Sequence, residues 1–226
     1  MSPEDFVRAA IGRMAPLADA GKARQMRAYL RDQHDFLGVP APARRAAIAG
    51  IGACKFEQGP LLQTVDLLWA LPQREYRYVA TGLLARNVAR VELGSVDHLL
   101  RLAQIDLWWE TVDGLSGVIS DIILRERACD PNAQEIMDAS LAHPSLWVRR
   151  IAMIHQLGWR QKTDSARLYS YAATLAHEPD FFIRKAIGWA LRDYARWEPA
   201  SVKNFVTRKD LSFSPLTVRE ALKHID

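Results

Sequence analysis

A repeat of amphipathic helical segments constrains the fold of this chain more than any other feature. Four such segments lie around Tyr76–Ala85, Trp109–Leu124, Trp147–Leu157 and Phe181–Tyr194, and their starts are 33, 38 and 34 residues apart. Helix pairs that recur about every 35 to 40 residues are typical of an α-solenoid of the HEAT type. We therefore predict an all-α fold, a curved α-solenoid of HEAT-like repeats that forms a single domain over residues 1–226. An irregular helical globule is the alternative.

Length and composition are those of a folded, mildly basic protein. The chain has 226 residues, of which 49% are hydrophobic, and a formal net charge of +4. The two cysteines, Cys54 and Cys129, form neither a CxxC pair nor a disulfide framework. The N-terminus lacks the apolar core of a secretory signal, and no apolar run is long enough to span a bilayer. We expect a cytoplasmic protein with no membrane partner.

Local signals predict several helix boundaries and one core residue. Proline at a first turn predicts helix starts at Asp130-Pro131, Pro144-Ser145 and Ser214-Pro215. His155 falls beside the apolar stripe of its segment, so we interpret it as a buried core residue with satisfied hydrogen bonds and not as a metal ligand. The other histidines are scattered along the chain, and neither a metal motif nor a phosphate-binding glycine loop is present. We therefore expect neither a metal nor a cofactor.

The segment Phe181–Tyr194 has two chemically distinct faces when read as a helix. One face is an apolar stripe at helical spacing, formed by Ile183, Ala186, Ile187, Ala190 and Tyr194. The opposite face carries Lys185, Trp189, Arg192 and Arg196. An indole among cations, away from the core stripe, suits a polyanion that also contains flat rings. The pattern favours a nucleic acid as the partner.

Two earlier repeats add a carboxylate, an indole and an arginine. Trp109 and Asp113 are four residues apart and stand side by side on a helix, although an ordinary amphipathic boundary would show the same pair. Arg150 lies at the edge of an apolar stripe and therefore needs an anionic partner, for which Asp113 and a ligand phosphate are the two candidates. In a solenoid these residues would gather on one basic concave face. Other basic residues could extend it as phosphate contacts: Arg24, Arg27, Arg31, Arg44, Arg45, Lys203, Arg208, Lys209, Arg219 and Lys223.

The sequence resembles the AlkD-type DNA alkylation repair glycosylases from about residue 24 to the C-terminus. The resemblance rests on the blocks Phe181–Tyr194, Trp147–Leu157, Trp108-Trp-Glu-Thr-Val-Asp113, Phe36-Leu-Gly-Val-Pro40 with Arg44-Arg45, and Arg219–Ile225. The family is built of HEAT-like repeats, in agreement with the periodicity. One characterised type of family member has glutamine directly after a Phe-Leu-Gly-Ile/Val motif. This chain has Pro40 at that position, so any DNA contact of the glutamine is lost.

The resemblance implies a monofunctional DNA glycosylase of base excision repair. Such an enzyme would excise positively charged alkylated purines, 3-methyladenine and 7-methylguanine, from double-stranded DNA by stabilising an oxocarbenium-like sugar. Its catalytic residues would fall on Asp113, Trp109 and Trp189. DNA-binding residues would be Arg150, Lys185, Arg192, Tyr29 and Arg45, of which Arg45 and Lys185 come from the charge pattern. We expect a nucleoid-associated monomer.

Two other functions fit the same residues. A non-catalytic HEAT-repeat protein could recognise distorted or damaged duplex, and a repeat scaffold could use its aromatic residues as anchors for protein partners. Binding that falls steeply with salt would favour DNA over a protein partner.

Overall fold

The computed structural model describes residues 1–225, in which the regular elements are helices joined by turns and loops, with one isolated bridge between Asp35 and Gln73. These residues contain thirteen α-helices, so the prediction of an all-α fold is confirmed. None of the helices within residues 1–225 has the length and apolar character that crossing a membrane requires. The chain divides into two compact units, residues 1–92 and the residues from Leu93 onward. A single domain over residues 1–226 stays a prediction.

The first unit is a cluster of five helices around an aliphatic and aromatic core. Helix α1 packs on α3 and α4, and α4 packs on α5. The side chains of Phe6, Leu61, Val65 and Leu68 are fully buried between them. The helices are α1 (Pro3–Met14), α2 (Ala20–Tyr29), α3 (Ala41–Gly52), α4 (Gln58–Trp69) and α5 (Arg74–Arg86).

The loop that precedes α3 is held by a buried carboxylate. Glu75 is fully buried and accepts hydrogen bonds from the backbone N–H groups of Leu37, Gly38 and Val39 at 2.9 to 3.0 Å. Gly38 has a φ of +86°, and a Cβ there would lie 2.0 Å from the carbonyl oxygen of Asp19. Only glycine therefore fits this position. Pro40 follows as the N-cap of α3.

The second unit repeats one arrangement of helices. Helices α7, α9, α11 and α13 pack successively on one another, and the intervening helices pack beside them. These four helices begin at residues 109, 146, 181 and 215, which are 37, 35 and 34 residues apart, so the predicted repeat is confirmed in this unit. The helices are α6 (Val96–Leu102), α7 (Trp109–Glu126), α8 (Glu135–Ser140), α9 (Leu146–Ile154), α10 (Ser165–Thr174), α11 (Phe181–Tyr194), α12 (Pro199–Val206) and α13 (Pro215–Ala221).

Helix α11 shows how the sequence sets the repeat. Its N-cap, Asp180, accepts hydrogen bonds from the backbone N–H groups of Phe182 at 2.7 Å and Ile183 at 3.2 Å. Such a cap satisfies donors that the first helical turn leaves unpaired. The predicted stripe is buried from Ile183 to Ala190, whereas Tyr194 is half-buried and Leu191 is buried instead.

Two of the three helix starts predicted from proline agree with the structure. Helix α13 begins at Pro215 after the N-cap Ser214, and α9 begins just after Ser145, so these two predictions are confirmed. The predicted start at Asp130-Pro131 is wrong, because α8 begins at Glu135. The Asp130 carboxylate instead accepts a hydrogen bond from the N–H of Asn132 at 2.9 Å, which stabilises a turn in place of a helical one.

His155 is a core residue, as predicted. It is fully buried, with one ring nitrogen 3.0 Å from Gln134 Nε2 and the other 2.6 Å from the carbonyl oxygen of Ala152. Burial lowers the pKa of His155 to about 4, because the protonated ring would lose its hydration. The ring is therefore neutral in the native protein at neutral pH.

This burial makes the protein sensitive to mild acid. Between pH 6.5 and 4 the unfolded chain binds a proton at His155 and the native chain does not, so the free energy of unfolding falls with the pH. From pH 7 to pH 5 we expect a loss of about 2 kcal/mol, measured by urea denaturation. His155→Gln should flatten this dependence, whereas replacing the exposed His177 by Gln should not. An unchanged slope in His155→Gln would assign the acid sensitivity to other groups.

Candidate functional site: an aromatic and charged pocket

A pocket with a cavity of about 340 Å³ lies within the second unit. Its walls come from helices α7, α9, α11 and α13, which occupy equivalent places in the repeat. The lining residues are Trp109, Asp113, Arg150, Phe181, Phe182, Lys185, Trp189, Arg192 and Glu220. The sequence predicted that six of these residues gather on one face of the repeat. All six line the cavity: Trp109, Asp113, Arg150, Lys185, Trp189 and Arg192.

Asp113 and Arg150 form a bidentate ion pair across two repeats. Arg150 Nε and Nη2 donate to the two carboxylate oxygens of Asp113, each at 2.8 Å. The third nitrogen, Nη1, donates to the carbonyl oxygen of Phe182 at 2.7 Å. Only 6% of the Arg150 side chain and 17% of the Asp113 side chain are exposed. Of the two candidate partners for Arg150, the structure therefore shows the carboxylate.

The ion pair fixes the direction of the carboxylate. A planar guanidinium that bonds both oxygens of a carboxylate constrains its plane as well as its position. Burial raises the pKa of the Asp113 carboxyl, and the hydrogen bonds from Arg150 act in the opposite direction. The arginine thus supports an ionised carboxylate where water is largely excluded.

An aromatic cluster supports the pocket beside this pair. The rings of Trp108 and Trp147 both contact Phe182, with centroid separations of 5.5 and 4.9 Å. Contacts of this kind add to the stabilisation from burial. The cluster and the Asp180 cap together hold the Phe182 carbonyl that accepts from Arg150. Trp109 and Trp189 are half-buried and form part of the cavity wall.

Lys185 and Arg192 share a second carboxylate, that of Glu220. Lys185 Nζ lies 2.9 Å from Glu220 Oε1, and Arg192 Nη1 lies 2.6 Å from Glu220 Oε2. Hydrogen bonds from Lys185, and then from Arg192, lower the pKa of the Glu220 carboxyl. Lys185 and Arg192, which the sequence suggested as DNA-binding residues, are thus paired within the protein.

Helix α13 reaches this position because α11 has a glycine where the two helices meet. A Cβ on Gly188 would lie 2.5 Å from Glu220 Cβ and 3.0 Å from the carbonyl oxygen of Thr217. The Thr217 hydroxyl also donates to the carbonyl oxygen of Arg184 at 3.1 Å. Backbone contact, not only charge, therefore holds the two helices together.

Replacing Gly188 by Ala is expected to lower the free energy of unfolding by about 1 to 3 kcal/mol, since the added methyl must push α13 away. Gly117→Ala on α7 is the matched control, because a Cβ there meets nothing within 4 Å. That control should be neutral or stabilising by about 0.5 to 1 kcal/mol, the usual effect of alanine in a helix. Chemical denaturation of both variants measures the difference. Equal effects in the two variants would contradict the close approach.

Tyr29 and Arg45 lie in the first unit. Tyr29 ends α2 with 71% of its surface exposed, and Arg45 is exposed on α3. Arg44, next in sequence, stacks its guanidinium on Tyr78 at 4.6 Å from the ring centroid. DNA contacts of Tyr29 and Arg45 stay predictions.

Sequence reasoning missed Glu220, Phe181 and Phe182 as pocket residues. The repeat contained a signal for Glu220, because Asp113, Arg150, Lys185 and Glu220 are 37, 35 and 35 residues apart. Asp113, Arg150 and Lys185 are each the fifth residue of their repeat helix, and Glu220 is the sixth residue of α13. Asp113 pairs with Arg150, and Lys185 pairs with Glu220. Aligning the repeats through α13 would have found the second carboxylate.

The pocket combines features that suit a flat cation beside an anionic backbone. Two indoles line the cavity, and an indole ring can bind a cation through its face. The Asp113 carboxylate, one helical turn from Trp109 on α7, is held in place by Arg150. Three cations and two carboxylates give the pocket a formal charge sum of +1. The fold and the site thus define a helical-repeat protein with an aromatic, carboxylate-bearing pocket.

Comparison with known families identifies the class further. The sequence profile described as the DNA alkylation repair enzyme family matches residues 10–225. The chain therefore belongs to the DNA alkylation repair enzyme family, as the sequence resemblance indicated, and this membership implies DNA as its partner. Among curated protein sequences, none is significantly similar to this chain.

Solved structures share the fold. A protein from Enterococcus faecalis, described as a predicted DNA alkylation repair enzyme, superposes with a TM-score of 0.86 at 29% identity, covering 92% of this chain and 96% of that one. AlkD2 from Streptococcus mutans has a TM-score of 0.61 at 17% identity, covering 80% and 88% of the two chains. The smu.31 protein of Streptococcus mutans has a TM-score of 0.63 at 17% identity, covering 91% and 98%.

Proposed function

We propose that this protein is a monofunctional DNA glycosylase that excises positively charged N3- or N7-alkylated purines, such as 3-methyladenine and 7-methylguanine, from double-stranded DNA. Membership of the DNA alkylation repair family supplies the substrate polymer and the kind of damage. The observation that carries the specific proposal is the carboxylate of Asp113, held by Arg150 in one pocket with Trp109 and Trp189.

The chemistry of the lesion explains why this set of residues suffices. Alkylation at N3 or N7 gives the purine a positive charge, so the base leaves without prior protonation. The glycosidic bond breaks with its electron pair going to the purine, and positive charge moves to the deoxyribose. Water then adds at C1′ and loses a proton. Both oxygens of each pocket carboxylate face a cation, which favours the ionised form, and this reaction requires no general acid.

Asp113 is the residue that stabilises the developing charge. A carboxylate aimed in advance at a forming cation, in a site with little water, interacts more strongly than it would in bulk solvent. It can also orient the attacking water. Arg150 is a positioning residue in this scheme, because it donates hydrogen bonds to the Asp113 carboxylate and to the Phe182 carbonyl and so fixes the carboxylate.

The two indoles and the two remaining cations complete the scheme. Trp109 and Trp189 cradle the cationic base or sugar through their ring faces. Lys185 and Arg192 bind backbone phosphates near the lesion. No lysine is assigned a covalent role, so the product is an abasic site in an uncleaved strand.

Release of free base tests the proposal. The wild-type protein, incubated with duplex DNA that contains 7-methylguanine, should release the base faster than the spontaneous rate and should leave a strand that breaks only after alkali treatment. DNA binding without base release would contradict the enzyme and favour a non-catalytic reader of damaged duplex. Strand cleavage without alkali would contradict the monofunctional assignment.

A further inference from the structure

We infer that Glu220 competes with DNA phosphate for Lys185 and Arg192, so that the pocket binds the DNA backbone only when a phosphate displaces this carboxylate. The inference rests on the proposed function for the identity of the polyanion. It adds a residue that controls how tightly the protein holds undamaged DNA.

The geometry is that of a bound oxyanion. Each carboxylate oxygen of Glu220 takes one cation, Lys185 Nζ at 2.9 Å and Arg192 Nη1 at 2.6 Å. Two oxygens of a phosphodiester could accept the same two donors. Lys185 and Arg192 keep 38% and 20% of their side-chain surfaces exposed, so an external anion can approach both.

The other cation of the pocket is not available for this role. Arg150 gives both of its carboxylate-facing nitrogens to Asp113 and is 6% exposed. Phosphate binding inside the pocket therefore depends on Lys185 and Arg192, and Glu220 is the anion that already occupies them.

A purely structural role for the Glu220 charge is the competing explanation. Helices α11 and α13 are held together by the close backbone approach at Gly188 and by the hydrogen bond from Thr217 to Arg184. Neither contact uses the Glu220 carboxylate. Loss of that charge should therefore leave the packing of α13 in place.

The formal charge of the pocket predicts whether loss of the Glu220 charge strengthens or weakens DNA binding. With Glu220 ionised, the pocket sums to +1, and neutralising it raises the sum to +2. A carboxylate beside an incoming phosphate opposes binding by like-charge repulsion and by holding the donors the phosphate needs. This penalty applies to any duplex, so it weakens binding to undamaged DNA, which offers no cationic base in return.

Binding of an undamaged duplex by the full chain tests the inference. Glu220→Gln, which keeps the shape and removes the charge, should bind about tenfold more tightly than wild type at low salt, measured by fluorescence anisotropy. The gain should shrink as salt rises. Glu135→Gln is the matched control, because Glu135 is exposed on α8 and does not line the pocket. Weaker or unchanged binding by Glu220→Gln, or no binding by either protein, overturns the inference.

Two further variants separate competition from structure. Lys185→Gln should weaken binding more in the Glu220→Gln background than in wild type, because the lysine is then free to contact phosphate; equal effects overturn the inference. Glu220→Asp shortens the reach to both cations and should also tighten binding, so it tests the same point if the Gln variant fails to fold. Base release plays no part in these measurements. Tighter binding by Glu220→Gln, together with no base release by the wild-type protein, would contradict the proposed function but not the competition between Glu220 and phosphate.

Discussion

Asp113→Asn is expected to slow the release of 7-methylguanine from duplex DNA by about 10² to 10³-fold. The substitution keeps the size of the side chain and an oxygen for Arg150, but it removes the negative charge that would face the oxocarbenium-like sugar. Single-turnover release of free base measures the effect. Binding of the undamaged duplex should change far less, because the lost interaction forms mainly as the glycosidic bond breaks.

The control for this variant lies on the same helix. Asp121 is exposed on α7, so Asp121→Asn makes the same chemical change outside the pocket and should leave base release unchanged. Thermal unfolding of both variants shows whether they remain folded. Release by Asp113→Asn at the wild-type rate would remove the role assigned to this carboxylate.

Arg150→Met is expected to lower the free energy of unfolding by about 3 to 5 kcal/mol. Methionine fills much of the same volume, but it leaves the Asp113 carboxylate largely buried without its guanidinium and the Phe182 carbonyl without its donor. For a protein of this size the loss corresponds to a fall in melting temperature of roughly 10 °C. Differential scanning calorimetry and chemical denaturation measure both quantities.

A double variant and a surface variant decide the cause of that loss. Asp113→Leu combined with Arg150→Met removes both charges and should recover most of the lost stability, because no unpaired charge remains buried. Arg208→Met removes an arginine from an exposed pair with Asp210 and should leave the free energy of unfolding nearly unchanged, because solvent screens such a pair. If Arg150→Met costs no more than Arg208→Met, the ion pair in the pocket does not have the stabilising role assigned to it.

The repeat was predictable because its signal is periodic. Apolar residues recur at helical spacing in α7, α9 and α11, and the prolines and glycines between them separate the segments. Single boundaries were less predictable. Asp130-Pro131 has the composition of a helix start, but the Asp130 carboxylate accepts a hydrogen bond from the nearby Asn132 N–H in a turn. Whether such a side chain caps a helix or stabilises a turn depends on the local backbone geometry.

The site was predictable where a side chain lay on the wrong face for the core. Trp109, Asp113 and Trp189 stand out for this reason, and the structure places them around one cavity. The partner of Arg150 could not be chosen from the sequence, because a carboxylate and a phosphate satisfy a guanidinium equally well. Glu220 lies in a short helix with little apolar pattern of its own, so its pairing with α11 depends on the approach at Gly188.

If the pocket removes bases because they carry a positive charge, two duplexes that differ only in the charge of one base should differ in base release. One duplex contains 7-methylguanine, which is cationic, and the other contains hypoxanthine at the same position, which is neutral. We expect the wild-type protein to release 7-methylguanine above the spontaneous rate and to release no hypoxanthine, because both pocket carboxylates are engaged by cations and neither is placed to protonate a neutral leaving group. Equal release of the two bases, or release of neither, would contradict the selection of bases by their positive charge.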